Sequence, residues 1–305
     1  MLLKIANLYQ KIVKNYLTFL PNSPAAKLGI GSDEKQPSGE KLALADRNTS
    51  YFFKKMSADI VKLIEEPDIK KTINFYIENH ENIQDGQGIY KIMFILQCIK
   101  ETEHLDGDII ELGSYKGGNA IMMAKFLKQI GSKKKIYACD TFEGCPYDDE
   151  FVSNPAGKGT FSVTSFDFVL KQIKKYGVND KIILNKGLFS DTLDNLNLKK
   201  FSLVFIDCLV YPSAKFAINF AYPKLVDDGV LISSCYEVQK GTDVKSLWGE
   251  TVAVDEYLSN KPEKIVIESM PFMQKGHNPP KIINKMPKNP FSTFSADASR
   301  VNKNK

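Results

Sequence analysis

The sequence has little of what marks several common functional classes. Its three histidines, His80, His104 and His277, are too widely spaced to form a metal-ligand motif. Its five cysteines, Cys98, Cys139, Cys145, Cys208 and Cys235, are odd in number and contain no Cys-x-x-Cys pair. That excludes a zinc site built on such pairs and points to reduced thiols in a cytoplasmic chain. The charge balance, 41 basic against 36 acidic residues, leaves a net +5, too small an excess at this length for a nucleic-acid footprint. No apolar run is long and uninterrupted enough to span a membrane.

What is present is a globular composition, 43% hydrophobic and 25% charged, in 305 residues. It can build a sizeable core in one large domain with additions, or at most two domains. Met1 to Leu20 carries apolar residues at nearly every helical turn, broken by Lys4, Lys11 and Lys14. This reads as an amphipathic helix without the pattern of a secretory signal. It packs on its own domain, mediates a homodimer or rests on a membrane surface. Residues 1–50 thus form a helix and an irregular connector, 51–103 a helical lead-in, 104–275 the core and 276–305 a tail rich in Pro, Asn and Lys. Helices are expected at Ser57–Glu65, Lys70–Asn79 and Gly88–Glu103 of the lead-in, and an edge strand at Lys281–Asn284 in a tail that otherwise frays.

The centre of the chain is residues 107–119, from Gly107 through Glu111, Gly113, Ser114, Tyr115 and Gly117 to Asn119. It reads as a buried strand around Ile109 and Ile110, a glycine-rich turn and the start of a helix over Ala120–Ile130. The turn is Gly-x-x-x-Gly-Gly, which lacks the Gly-x-Gly-x-x-Gly of dinucleotide sites and the Gly-Lys-Ser/Thr of phosphate-binding loops. Glu111, two residues before the first glycine, would repel a pyrophosphate but suit a cation. These features disfavour NAD and ATP and favour S-adenosylmethionine, which bears an ammonium and a sulfonium and no phosphate.

Further strand signals fall at Lys135–Cys139, Lys181–Asn185, Phe201–Ile206, Val230–Ser234 and Lys264–Glu268. Helical patterns separate them at Phe166–Tyr176, Pro212–Leu225 and Thr251–Leu258. The expected fold is a doubly wound α/β chain around a mostly parallel seven-stranded sheet, Rossmann-like, with a helical N-terminal extension. Ligands in such sheets bind at the carboxyl ends of the strands. Polar residues stand there: Asp140 after the second strand, suited to a ribose diol, the Gly187-Leu188-Phe189-Ser190 turn after the third, and Asp207 after the fourth. Asp148 to Thr160 reads as a loop over that mouth, either a lid or a plain surface loop.

Six motifs in this order are similar to those of the macrocin O-methyltransferase family: Glu111-Leu-Gly113-Ser-Tyr115-Lys-Gly117-Gly118, Asp140-Thr141-Phe142-Glu143-Gly144, Gly187-Leu-Phe189-Ser190-Asp191-Thr192-Leu193, Ile206-Asp207 with Tyr211 and Ser213, Tyr222-Pro223-Lys-Leu225 and Ala253-Val254-Asp255-Glu256-Tyr257. The match covers roughly residues 85 to 260. The resemblance implies a class I methyltransferase dependent on S-adenosylmethionine, acting on a sugar or another small hydroxylated acceptor. It implies that Glu111, Gly113, Ser114 and Tyr115 hold the methionine end. Asp140 would take the ribose, Phe142 and the Phe189-Ser190 turn would line the adenine site, Asp207 would stand beside the methyl group, and Gly117, Thr141 and Gly187 complete the cofactor-binding set.

The chain departs from the family on the acceptor side. Family members bind magnesium through an Asp after the fourth strand and an Asp pair after the fifth, whereas here the pair is Ser234-Cys235 and the second acid of the Asp-x-Asp element is Leu209. One carboxylate, a hydroxyl and a thiol make a poor magnesium site, so no tight magnesium is expected. Asp207 is then the best general base, with Asp148 or Asp149 as substitutes. An amine or carboxylate acceptor would need no metal, and a non-catalytic binding or dimerisation role is the alternative.

Overall fold

The computed structural model describes residues 61–62, 64–80, 82–83, 89–149, 151, 157–197, 200–236, 249–261, 263–266, 272–275 and 300–303. The amphipathic start and the Lys281–Asn284 strand lie outside these residues. So does the Ser57–Glu65 helix, apart from residues 61–62 and 64–65.

Among the described residues two full helices precede the sheet. Helix α1 (Pro67–Asn79) begins three residues before the expected Lys70, because Glu66 caps it by accepting from the Ile69 amide at 2.8 Å and Pro67 occupies its first turn. Helix α2 spans Ile89–Thr102. The alternating part follows: β1 (Asp108–Leu112), α3 (Gly118–Gln129), β2 (Ile136–Asp140), α4 (Phe166–Lys175), β3 (Ile182–Lys186), a single turn α5 (Phe189–Thr192) and β4 (Phe201–Ile206). It continues with α6 (Tyr211–Ala221), β5 (Leu225–Ser233), α7 (Gly249–Leu258), β6 (Glu263–Val266), β7 (Phe272–Lys275) and β8 (Arg300–Lys303). Helix α6 stops four residues short of the expected Leu225. The chain tightens into a 3-10 turn at Tyr222–Lys224, where Pro223 has no amide to continue the helix, and Leu225 already opens β5.

The sheet order is β3-β2-β1-β4-β5-β7-β6-β8. The first five strands in this row are mutually parallel, and the last three join antiparallel. The sheet therefore has eight strands where seven were expected, because β8 adds an edge beside β6. From β1 the chain winds outward through β2 to β3, then returns to place β4 on the other side of β1. That reversal makes a crevice at the carboxyl ends of β1 and β4.

The period of two along the central strands sorts the core onto two faces. Ile109, Leu203, Phe205, Val230 and Ile232 pack with buried side chains of α1 to α4. Ile110, Leu112, Val204, Ile206 and Leu231 pack with α6 and α7. Every residue of β4 is buried, as expected for a central parallel strand covered on both faces. On the first face Gln129 of α3 donates to the Asp68 carbonyl at 2.8 Å, tying α1 to the core. Among the described residues no helix is long and apolar enough to cross a membrane.

Candidate active site

The parallel ladder continues one step past the strands. Gly113 N–H donates to Cys139 O at 2.9 Å, Asp207 N–H to Leu112 O at 2.8 Å and Ser234 N–H to Ile206 O at 2.8 Å. The exits of β1, β2, β4 and β5 are thus held side by side, and the residues expected to carry function stand on them. The backbone there is unusual: Gly113 (φ 101), Tyr115 (φ 47), Phe142 (φ 55), Gly187 (φ 140) and Leu209 (φ 60) all have positive φ, at the ends of four successive strands. Such conformations cost free energy and collect where a site is being shaped.

On the β1 side, Glu111 is completely buried. Its Oε2 accepts from Ser114 Oγ at 2.6 Å, while Oε1 has no hydrogen-bond partner within bonding geometry among the described residues, the Asn119 side chain standing close enough to draw the carboxyl's pKa down. Burial pushes this carboxyl up to about 8, and the nearby Asp207 and Asp140 push in the same direction. Asp140 braces the glycine turn. Its Oδ2 accepts the Ser114 and Tyr115 amides, both at 2.8 Å, and its Oδ1 accepts the Phe142 amide at 2.7 Å and, more weakly, Thr141 Oγ1 at 3.4 Å. Three of the four lone-pair directions of the carboxylate are therefore taken by backbone amides. Gly117, in the left-handed conformation, is the N-cap of α3.

The aromatic residues expected around an adenine divide. The Phe142 ring is buried and packs edge-on against Phe166 at 5.7 Å, so it belongs to the core. The Tyr115 ring meets Phe161 edge-on at 5.5 Å, and Phe161 is exposed. After β3, Gly187 N–H donates to Asp140 O at 3.0 Å, Phe189 packs against the second core face, and exposed Ser190 donates to Asp191 at 2.7 Å.

On the acceptor side, Asp207 Oδ1 accepts from the Cys235 thiol at 3.4 Å. Ser234 Oγ accepts from the Lys91 ammonium of α2, and the Cys235 sulfur is 3.9 Å from the Ser234 oxygen. Burial pushes the Cys235 thiol well above its usual range, with Glu250 and Asp207 adding to the effect and Lys91 opposing it. Among the described residues no three His, Cys, Asp or Glu side chains cluster as a metal site would require.

Two residues of this region escape sequence reasoning. Glu250, near the start of α7, is fully buried: Oε1 accepts from Ser233 Oγ at 2.6 Å and the Cys235 amide at 3.1 Å, and Oε2 from the Cys208 and Leu209 amides at 3.1 and 3.3 Å. It ties the exits of β4 and β5 together. Burial and the neighbouring Asp207 raise its carboxyl to about 7. The second is Lys91, in a helix whose pattern reads as apolar packing. Only its place in that pattern, a lysine between Ile89 and Ile92, marks it out.

Asp149 is not an idle loop acid. Its Oδ2 accepts the Tyr211 amide at 3.1 Å and the Gly249 amide at 3.2 Å, the first residues of α6 and α7, and its Oδ1 accepts the Phe151 amide at 3.0 Å. The approach is so close that a Cβ on Gly249 would stand 2.8 Å from the Asp149 carboxyl carbon. With Asp148, Tyr211 and Pro212 it lines a cavity of about 260 Å³. One carboxylate thus caps two helices. Asp149→Ala is expected to cost about 1–3 kcal/mol in thermal or urea unfolding, and Asp149→Asn should keep part of that. A melting temperature unchanged by alanine would refute this double cap.

Comparison with known proteins agrees with this architecture. The profile of the family described as Macrocin-O-methyltransferase (TylF) matches residues 89–257, more than half of the chain. The chain is 24% identical over 167 residues to 8-demethyl-8-(2,3-dimethoxy-alpha-L-rhamnosyl)-tetracenomycin-C 4'-O-methyltransferase of Streptomyces olivaceus, covering 51% of this chain and 64% of that protein. It is 24% identical over 161 residues to demethyldecarbamoylnovobiocin O-methyltransferase of Streptomyces niveus, covering 49% of this chain and 61% of the relative. It thus spans less than two thirds of the length of either relative. Among solved structures, the O-methyltransferase NovP is similar in fold with a TM-score of 0.53 at 19% identity, covering 72% of this chain and all of that one. CalS11, a calicheamicin methyltransferase, gives 0.53 at 15% identity over 81% of this chain and 99% of its own. By the extent of the profile match and the order of its strand-end motifs, the chain belongs to the macrocin O-methyltransferase family.

Proposed function

We propose that the chain is an S-adenosylmethionine-dependent methyltransferase that methylates an oxygen of a small hydroxylated metabolite, a sugar being the leading class, without tightly held magnesium. The observation that carries the reading is Glu111, a fully buried carboxyl beside the glycine turn with one oxygen outside hydrogen-bond geometry of any donor among the described residues. A buried acceptor without a donor is costly, and a ligand ammonium relieves that cost. The name of one relative, a 4'-O-methyltransferase of a rhamnosyl-tetracenomycin, supports a sugar acceptor.

In this reading Glu111 receives the ammonium, and the Gly113-Ser114-Tyr115 turn, braced by Asp140, wraps the methionine end up to Gly117. Asp140 has only the direction weakly shared with Thr141 Oγ1 to offer, and there it takes one ribose hydroxyl. The Gly187 to Ser190 turn flanks the base through Phe189 and Ser190, whereas Phe142 contributes through its backbone. The cofactor supplies a methyl group on a positively charged sulfur. The acceptor hydroxyl must lose a proton as the new bond forms, and Asp207, at the crevice between β1 and β4, takes it.

Magnesium does not fit the residues present. It prefers oxygen ligands in near-octahedral array, whereas beside Asp207 stand a thiol and a hydroxyl that already accepts from an ammonium. A second reading, a non-catalytic binding protein, draws support from the Asp140 carboxylate, most of which serves the turn itself. Calorimetric titration with S-adenosylmethionine, in EDTA and with added magnesium, separates these. Micromolar binding unchanged by magnesium is expected. Binding tightened by magnesium would contradict the metal-free site, and no binding in either arm would end the methyltransferase reading.

A further inference from the structure

Lys91 is 4% exposed, yet it carries an ammonium. Of its three N–H donors one reaches Ser234 Oγ, and the ammonium stands 5.7 Å from the centre of the Phe205 ring. No carboxylate among the described residues lies within ion-pair distance of it, whereas Lys100, Lys128, Lys186, Lys200 and Lys215 all have acidic partners on the surface. A buried cation without a counterion costs several kcal/mol and does little for folding. Its position gives it another use. Lys91, Ser234, Cys235 and Asp207 form a row from α2 across the end of β5 to the end of β4, with steps of 3.9 Å from Ser234 to Cys235 and 3.4 Å from Cys235 to Asp207.

That row links a cation, through Ser234 and Cys235, to a carboxylate at the crevice where, in the methyltransferase reading, the acceptor meets the methyl group. A carboxylate alone is a weak base toward an alcohol, because the alkoxide left behind is far more basic. A positive charge beside the forming oxyanion corrects the mismatch, as donors aimed at developing charge do. Resting on the methyltransferase reading, we propose that Lys91 is the oxyanion-holding cation of the acceptor site. In the step it serves, the acceptor O–H bond breaks, the electron pair stays on oxygen beside the Lys91 ammonium, and the proton passes to the Asp207 carboxylate. The substrate class follows: acceptors presenting one hydroxyl to be ionised, held by a single cation, rather than two hydroxyls chelated together.

The test needs neither cofactor nor natural acceptor. 4-Nitrophenol, whose ionised form is yellow, is titrated with pH in the absence and presence of the protein. The wild-type protein is expected to shift the bound phenol toward phenolate about tenfold, one unit in its ionisation. Lys91→Met should abolish the shift, and Lys91→Arg should keep part of it. The methionine variant is expected to fold, since exchanging a buried charge for an apolar side chain of similar size is often neutral or stabilising, and circular dichroism checks this. Should it not fold, the wild-type and arginine proteins still decide, because the shift must be present in both. An equal shift in the methionine variant, or none in the wild type, overturns the assignment. Calorimetry with S-adenosylmethionine on the same samples keeps the two ideas apart. Cofactor binding without a phenolate shift rejects Lys91 alone. A Lys91-dependent shift without cofactor binding rejects the methyltransferase reading and leaves the cation site standing.

Discussion

Gly113→Ala is expected to destabilise the protein by about 2–6 kcal/mol, combining left-handed backbone strain with overpacking. Gly113 has φ 101, which L side chains rarely adopt, and an added Cβ would collide with the Asp207 carbonyl and stand 2.7 Å from its carbon. No flexible side chain is there to yield. The obstacle is the backbone of β4's exit, itself fixed by the Asp207 amide on Leu112 O at 2.8 Å. The methyl group must therefore part β1 from β4 at the crevice. Urea unfolding at neutral pH reads the effect, and a variant as stable as the wild type would mean that the strand exits are not in this contact.

The second large effect concerns Glu111 and depends on pH. Its carboxyl sits at about 8 in the folded protein against an ordinary 4.5, and the cause is burial. Between those values the unfolded chain has released a proton that the folded chain keeps. The stabilisation is therefore complete below about 4.5 and is lost as pH rises through about 8, with a slope of at most about 1.4 kcal/mol per pH unit. Glu250 acts in the same direction up to about 7. Glu111→Gln should flatten the Glu111 part of this profile. It should also weaken S-adenosylmethionine about ten- to a hundredfold, the worth of a hydrogen bond to a charged group. In the wild type, ionising Glu111 for the ligand's ammonium should release a proton below pH about 8, visible in calorimetry across buffers of different ionisation enthalpy. A glutamine variant with wild-type affinity and an unchanged stability profile would remove Glu111 from the cofactor site.

Much of this frame is legible in the amino-acid order because central parallel strands have an unmistakable composition. Phe201–Ile206 is bounded identically by the apolar run and by the fold, since both faces of that strand are covered. β5 is less legible. It starts at Leu225, five residues before the expected Val230, because Asp227, Asp228 and Gly229 interrupt the apolar pattern and Asp228 adopts φ 62 within the strand. The strand-end acids were readable because ligands in such sheets bind at the carboxyl ends of the strands. What each one touches was not. Asp140 looks like a ribose ligand, and its observed contacts brace the turn, while Phe142 looks like a pocket wall and lies in the core. Glu250 and Lys91 were hidden by distance. Each meets residues far along the chain, and nothing in an isolated helix shows which face will be closed over by β4 and β5.

The clamp at Asp149 also gives the loop between β2 and α4 a built-in clock. The Tyr211 and Gly249 amides belong to different helices 38 positions apart in the chain, yet they share one acceptor oxygen. Neither has a carbonyl partner within its own helix, because both are first residues. Whatever lifts the loop uncovers both at once, so in amide hydrogen exchange the two should trade deuterium in step. Their shared rate would time each release of the Asp149 carboxylate from the two helix starts.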